Sequence, residues 1–238
     1  MHMTLVPRHP LFFTHMFMNK FQLAFASAAI AVFLLPSAAQ AQLSFNIGAV
    51  SLYKSSGVDQ DGANKDWRPA LQGGVDYDFG NGFYVGNWNS TGKFLGADLE
   101  IDLYGGYRRA MTNGLGYDLS FARYIYPGQD SFNGNEVIFS LSYAQYSAKI
   151  TRMVSGGSDG SSRFSLGYTR PLTDKLTLKA GLGFRNAAGG NFDDYSLGLT
   201  YDLGNALSVS STLSGASKQA AAGGANDSRL VLGVNKSF

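Results

Sequence analysis

The side chains of this sequence best placed to do chemistry are carboxylates set two residues apart. Asp98, Glu100 and Asp102 alternate with Leu99, Ile101 and Leu103. Asp76 and Asp78 alternate with Val75, Tyr77 and Phe79. Asp118, Glu136, Asp194 and Asp202 sit in similar surroundings, as do the bases Arg108, Arg163, Lys179, Arg185 and Arg229. In an extended strand, residues two apart share a face, so each row puts charge on one side and apolar groups on the other. Such rows suit contact with ions or polar solutes along a surface. They do not suit general acid–base chemistry. The adjacent carboxylates Asp193 and Asp194 would point to opposite faces and could not share a substrate. All three histidines (His2, His9, His15) precede residue 42, so the rest of the chain lacks the base a hydrolytic enzyme normally uses. Gly73-Gly74 and Gly156-Gly157 lack the strand–helix setting of a phosphate-binding loop. No cysteine occurs, which excludes disulfides and thiolate metal sites. The sequence therefore predicts no catalytic residue, no cofactor and no metal, and the chain reads as a non-enzyme.

The elements that would position these rows have a period of two. Tyr195, Leu197, Leu199, Tyr201 and Leu203 oppose Asp194, Ser196, Gly198, Thr200 and Asp202. Leu176, Leu178, Ala180, Leu182 and Phe184 oppose Thr177, Lys179, Gly181, Gly183 and Arg185. Alternation alone fits a soluble sandwich too. Segment length separates the two, because the runs are about ten residues long, the span of a tilted transmembrane strand. Globular strands average about five or six residues. Connection length also alternates. Short turns are expected at Gly80-Asn81, Ser147-Ala148, 172–174 and Gly204-Asn205, and longer loops at 54–68, 89–95, 127–135, 155–162, 186–191 and 217–227. That is the pattern of a bacterial outer-membrane barrel, with short periplasmic turns and long outer loops. The expected fold is all-β: a transmembrane, antiparallel, up-and-down barrel of twelve strands, near 43–53, 69–79, 82–88, 96–108, 114–126, 136–146, 149–154, 162–171, 175–185, 192–203, 206–215 and 228–238. The third is expected to be short, and the seventh is the weakest, because it is short and carries Lys149 and Arg152. Aromatics should form two girdles: Phe79, Phe83, Tyr107, Tyr117, Tyr201 and Phe238 at the periplasmic ends, and Tyr53, Phe139, Phe164, Phe184 and Phe192 towards the outer ends.

Residues 1–41 differ from the rest. Asn19-Lys20 precede an apolar run from Phe21 to Leu35, and Ala39-Gln40-Ala41 closes the segment. A basic start, an apolar middle and an A-x-A end make a secretory signal peptide, and Met18 would serve as its start. Cleavage is expected after Ala41, leaving residues 42–238 as one barrel domain in the cell outer membrane. The chain carries 19 basic and 17 acidic residues, but Arg8 and Lys20 lie in the leader, which holds no acid. The exported part is therefore neutral, with no basic patch for nucleic acid. Outer-membrane lipid and lipopolysaccharide, small polar solutes and the barrel-assembly machinery are the expected partners, the last reading a final strand that ends in Phe238.

Pro69 to Tyr77 (PALQGGVDY), Gly82 to Gly86 (GFYVG), Leu99 to Tyr107 (LEIDLYGGY) and Tyr124 to Gly128 (YIYPG) together resemble the TorF-type porins of proteobacteria. The resemblance runs in order along most of residues 42–238. It implies the barrel and a porin role, and it supplies no catalytic residues. The polar face then becomes a set of candidate pore-lining residues: Asp76, Asp78, Asp98, Glu100, Asp102, Asp118, Lys179, Arg185, Asp194 and Asp202. The acids gather on the second and fourth strands and the bases on the eighth and ninth, which would face each other across twelve strands. Inward glycines such as Gly74, Gly86, Gly106, Gly181 and Gly183 would leave space or relieve wall curvature. Two readings stay open: a passive channel for small polar solutes with a weak cation preference, or a barrel sealed by its own charge pairs, with a structural or loop-mediated binding role.

Overall fold

The computed structural model describes residues 42–61, 68–94, 96–187, 190–217 and 225–238. The signal peptide expected over 1–41 lies outside the described residues. Twelve antiparallel strands close into a barrel: β1 (Gln42–Val50), β4 (Ala70–Asp78), β5 (Phe83–Phe94), β6 (Ala97–Ala110), β7 (Leu115–Ile125), β8 (Gly134–Tyr143), β9 (Tyr146–Gly156), β10 (Ser162–Pro171), β11 (Leu176–Asn186), β12 (Phe192–Gly204), β13 (Leu207–Ala216) and β14 (Arg229–Ser237). Each pairs with its sequence neighbours, and β1 closes the ring between β14 and β4. Two two-residue strands, β2 (Lys54–Ser55) and β3 (Val58–Asp59), form a separate hairpin in the first long loop. Among the described residues no helix is long and apolar enough to cross a membrane. The strands cross instead, because a closed ladder leaves no backbone group unpaired in lipid.

The apolar rows face outward. Leu197, Leu199, Leu182, Phe184, Leu166, Phe121, Val85 and Ile47 are all exposed, as a lipid-facing belt requires. Burial is inverted relative to a soluble protein, and the buried polar residues include Ser90, Glu100, Thr151 and Asp194.

Register follows the expected alternation, with local differences. The third barrel strand, β5, runs to Phe94, well beyond the expected end at 88, and the connection to β6 is correspondingly short. A register shift between Thr91 and Phe94 ends the regular pairing there. The seventh, β9, spans Tyr146–Gly156 rather than 149–154. Its turn is Ala144-Gln145, not Ser147-Ala148, with Tyr143 paired to Tyr146. The charges that made it look weak belong to the polar face and the rim. The turn before β13 is Asn205-Ala206, both at positive φ (53° and 56°), matching the two-residue hairpin turn whose twist suits its strands.

Aromatic rings cluster at the turn end. Tyr77–Phe79, Phe83–Tyr107 and Tyr107–Tyr117 have centroids 4.8, 4.9 and 6.2 Å apart. Towards the loop end, Phe164 and Phe184 stack outward at 6.4 Å. Two expected girdle members are not in the girdle. Tyr53 and Phe192 line an internal cavity. Tyr53 lies in the first loop, past the end of β1, so strand alternation does not govern it. Phe192 opens β12, where the Arg185 guanidinium covers its ring at 5.8 Å.

Candidate functional site: the barrel lumen

The polar face is cross-linked by side chains that reach over an intervening strand. The Tyr104 hydroxyl on β6 donates to Asp76 on β4 at 2.6 Å, passing over Gly86 of β5. The Tyr84 hydroxyl on β5 lies 2.8 and 2.9 Å from the two carboxylate oxygens of Asp118 on β7, and passes over Gly106 of β6. Arg163 on β10 donates to both oxygens of Asp194 on β12, at 2.9 and 2.6 Å, over Gly183 of β11. A Cβ at Gly183 would stand 2.2 Å from the Arg163 guanidinium and 2.3 Å from the Asp194 carboxylate. These glycines therefore do not hold open space. Each is a saddle under a bridge between its two neighbours, which the sequence reading of vacant or curving positions missed. The signal was present, since each glycine pairs directly across the ladder with a flanking strand whose polar residues form the bridge.

Several expected pore-lining acids are consequently engaged. Asp78 takes Arg108 at 2.6 Å and the Gly80 amide at 2.8 Å. Asp202 accepts the Gly204 amide at 2.7 Å and shapes a turn. Asp98 pairs with Lys93 at 2.5 Å, with both side chains more than half exposed, so it leaves the expected row and sits at the loop-end rim. Lys179 faces inward on β11 opposite Thr169 and Gly198, away from the cavities described below.

The first loop occupies one side of the loop-end mouth. Tyr53 meets the inward Trp88 of β5, with centroids 5.7 Å apart. Lys54 pairs with Asp59 across the β2–β3 hairpin at 2.5 Å and also donates to the Ala225 and Asp227 carbonyls at 3.2 and 2.9 Å. Arg229 of β14 approaches the same carboxylate at 3.4 Å. The side chains of Lys54 and Asp59 are 2% and 0% exposed, so this is a fully desolvated pair. Burial pushes the Lys54 ammonium down from its usual pKa, and the hydrogen bond to Asp59 opposes that shift. Gly57, at φ +74°, lies against the Gly215 carbonyl of β13, where a Cβ would come within 2.2 Å. The hairpin is thus locked to the β13–β14 side.

The opposite side stays open. A cavity of about 800 Å³ lies at the loop end. Its β6–β8 wall carries Glu100, Asp102 and Glu136, and its β9–β11 wall carries Lys149, Arg163 and Arg185. Acids and bases thus line adjoining stretches of one curved wall, since β8 pairs with β9. Sequence reasoning had no place for Lys149, because β9 looked too doubtful to orient. Tyr126 donates to Glu100 at 2.5 Å and Tyr124 to Glu136 at 2.6 Å. A second space of about 290 Å³ adjoins it and shares Asp102, Tyr124, Ile138 and Lys149. A third, about 510 Å³ near the turn end, shares Asp118 and Ser140 with the second. Among the described residues no cluster of acids, histidines or cysteines is arranged to hold a metal ion.

Two solved structures with this architecture are porins. The KdgM porin superposes with a TM-score of 0.58 at 11% identity, over 82% of this chain and 99% of its own. The NanC porin gives 0.54 at 10% identity, over 82% and 98%. A further KdgM structure, in complex with disordered oligogalacturonate, gives 0.57 at 12% identity, over 82% and 99%. At these identities the likeness establishes the fold alone: a porin-like β-barrel. No functionally curated protein matches the sequence. Residues 36–238 match the family described as "Bacterial protein of unknown function (Gcw_chp)", and the chain belongs to that family.

Proposed function

We propose that the protein is a passive outer-membrane channel for small polar solutes, with its path running off-centre along β6–β9. One observation carries this: the three lumen spaces share wall residues in sequence, from the loop-end mouth to the turn end, and first-loop residues line only the one at the mouth. The TorF-type motifs and the porin fold support the same reading. Conductance of the refolded chain in planar bilayers tests it. Discrete single-channel steps are expected, and a silent bilayer would sink it.

A weak cation preference is part of the proposal. Glu100, Asp102 and Glu136 line one wall, and their fields overlap within a Debye length of about 8 Å. Lys149 and Arg185 oppose them, which keeps the preference modest. The solute in the KdgM complex is an oligogalacturonate, a polyanion. Three carboxylates on a wall argue against a polyanion here. A second reading, a sealed barrel with a binding role, draws on the buried Lys54–Asp59 lock across the mouth. The same conductance measurement separates the two.

Export and assembly complete the proposal. Outer-membrane material should begin at Gln42. Phe238, whose backbone pairs with Phe45, should serve as the assembly signal. Removing Phe238 should lower the yield of membrane-assembled barrel, read by heat-modifiable gel mobility.

A further inference from the structure

Most inward charges of this barrel have a partner. Asp76, Asp118, Glu100 and Glu136 accept tyrosine hydroxyls, Asp78 and Asp194 hold arginines, and Asp59 holds Lys54. Among the described residues two charges at one place do not, while Lys179, also inward and without a partner, lies away from the cavities. Asp102 makes no side-chain hydrogen bond or ion pair, and its Oδ1 is buried without a partner. Lys149 likewise has neither. Both line the junction where the loop-end cavity meets the next one, together with Tyr124 and Ile138. They stand on strands three apart, β6 and β9, and line the same two spaces without forming a salt bridge. Beside Asp102, Glu100 is 5% exposed, and its Oε2 is also buried and unpartnered.

Leaving a buried charged oxygen without a donor is costly. A ligand that brings an N–H donor there relieves that cost. A lone cation gains at Asp102 and is repelled by Lys149 within a Debye length of about 8 Å, and a lone anion suffers the reverse. The two effects largely cancel for either ion. For a molecule carrying an ammonium at one end and a carboxylate at the other, they add.

We propose that the Asp102–Lys149 neck is a selectivity site for small zwitterions bearing a primary ammonium and a carboxylate on a short spacer. The ammonium sits against Asp102 and Glu100, with the rings of Tyr124 and Tyr126 beside it, and the carboxylate sits against Lys149. This rests on the channel reading and names the solute class it favours.

The test is swelling of proteoliposomes holding the full refolded chain, in isosmotic β-alanine or the uncharged propionamide. β-Alanine should enter several-fold faster than its size predicts from propionamide. Asp102→Asn and Lys149→Met should each bring β-alanine uptake down to the rate its size predicts from propionamide in the same variant. The exchanged pair, Asp102→Lys with Lys149→Asp, should restore it, because a zwitterion can turn around. No advantage in the wild type, or equal changes for both solutes in the variants, overturns the proposal. So does undiminished β-alanine uptake in Asp102→Asn, which would mean the carboxyl is no anion in the pore. If no solute enters at all, the channel reading fails. Calorimetric titration of the detergent-folded barrel with β-alanine then decides the site by itself: saturable heat lost in Asp102→Asn supports it, and no heat in the wild type overturns it.

Discussion

The two sides of the lumen are built from similar strands and end differently. On the β13–β14 side, the β2–β3 hairpin is held by a desolvated Lys54–Asp59 pair and by Gly57 pressed on Gly215. On the β6–β11 side, adjoining stretches of wall with opposite sign curve round about 800 Å³. Both sides carry acids and bases. The difference is what answers them. The hairpin pairs its own Lys54 with its own Asp59 against β14, whereas no described residue pairs with the side chain of Asp102 or Lys149. Charges the chain itself satisfies fill space, and charges left facing a cavity are available to something that passes through it.

The hairpin lock is where this comparison breaks most severely. Asp59→Ala leaves the Lys54 ammonium buried without its carboxylate, a change that typically costs about 3–5 kcal/mol. The hairpin should swing clear of the mouth. Single-channel conductance should rise several-fold, and an unchanged conductance would mean the hairpin does not limit the path.

The contrast also presumes which face of the wall is lumen. Leu199→Arg places a charge in lipid and should destabilise the folded barrel by about 2–4 kcal/mol near the midplane. The neighbouring Thr200→Arg should be far milder, because Thr200 faces water. Urea titrations in lipid vesicles compare them, and equal losses would reverse the assignment.

A smaller change acts on the hairpin alone. Gly57→Ala imposes a left-handed strain of about 1–2 kcal/mol and drives a Cβ into the Gly215 carbonyl. Conductance should become noisier, with added open substates, while thermal stability of the barrel barely moves. A quiet trace would show that the hairpin can shift without leaving the wall.

The smallest expected effect is on ion preference. Glu100→Gln with Asp102→Asn should shift the reversal potential across a salt gradient towards zero. Asp98→Asn should do nothing, since that carboxylate sits at the rim beside Lys93. If Asp98→Asn shifts the potential as much as the double variant, the rim rather than the cavity sets the preference.

Much of this fold was legible because a membrane wall obeys one rule. Side chains alternate, lipid takes the apolar set, and so the twelve strands could be counted from period two together with segment and turn lengths. The rule failed where it does not apply. Tyr53 is past a strand end, and β5 reads as broken at Asn89 because Asn87, Asn89 and Thr91 stand on its outward parity. Asn87 and Asn89 bond one another there at 2.6 Å, and Asn87 also reaches the Asp102 carbonyl, so polar side chains are satisfied locally on a face expected to be apolar. β9 was underrated because Lys149 was judged as a charge in a strand rather than a charge on a wet face.

The sequence by itself determined the wall: strand number, direction, approximate strand bounds, and which face meets lipid. Each of these depends on neighbours along or one strand across from a residue, and hydrophobic periodicity records that. Only the tertiary structure decided the lumen. Ring closure curves β6–β11 round one cavity, folds residues 53–60 into the mouth and lays Tyr104 and Arg163 across glycines of intervening strands. Those contacts join residues far apart in sequence, through side chains whose reach no local pattern encodes. Which charges are answered and which are left to a solute is therefore a property of the closed barrel.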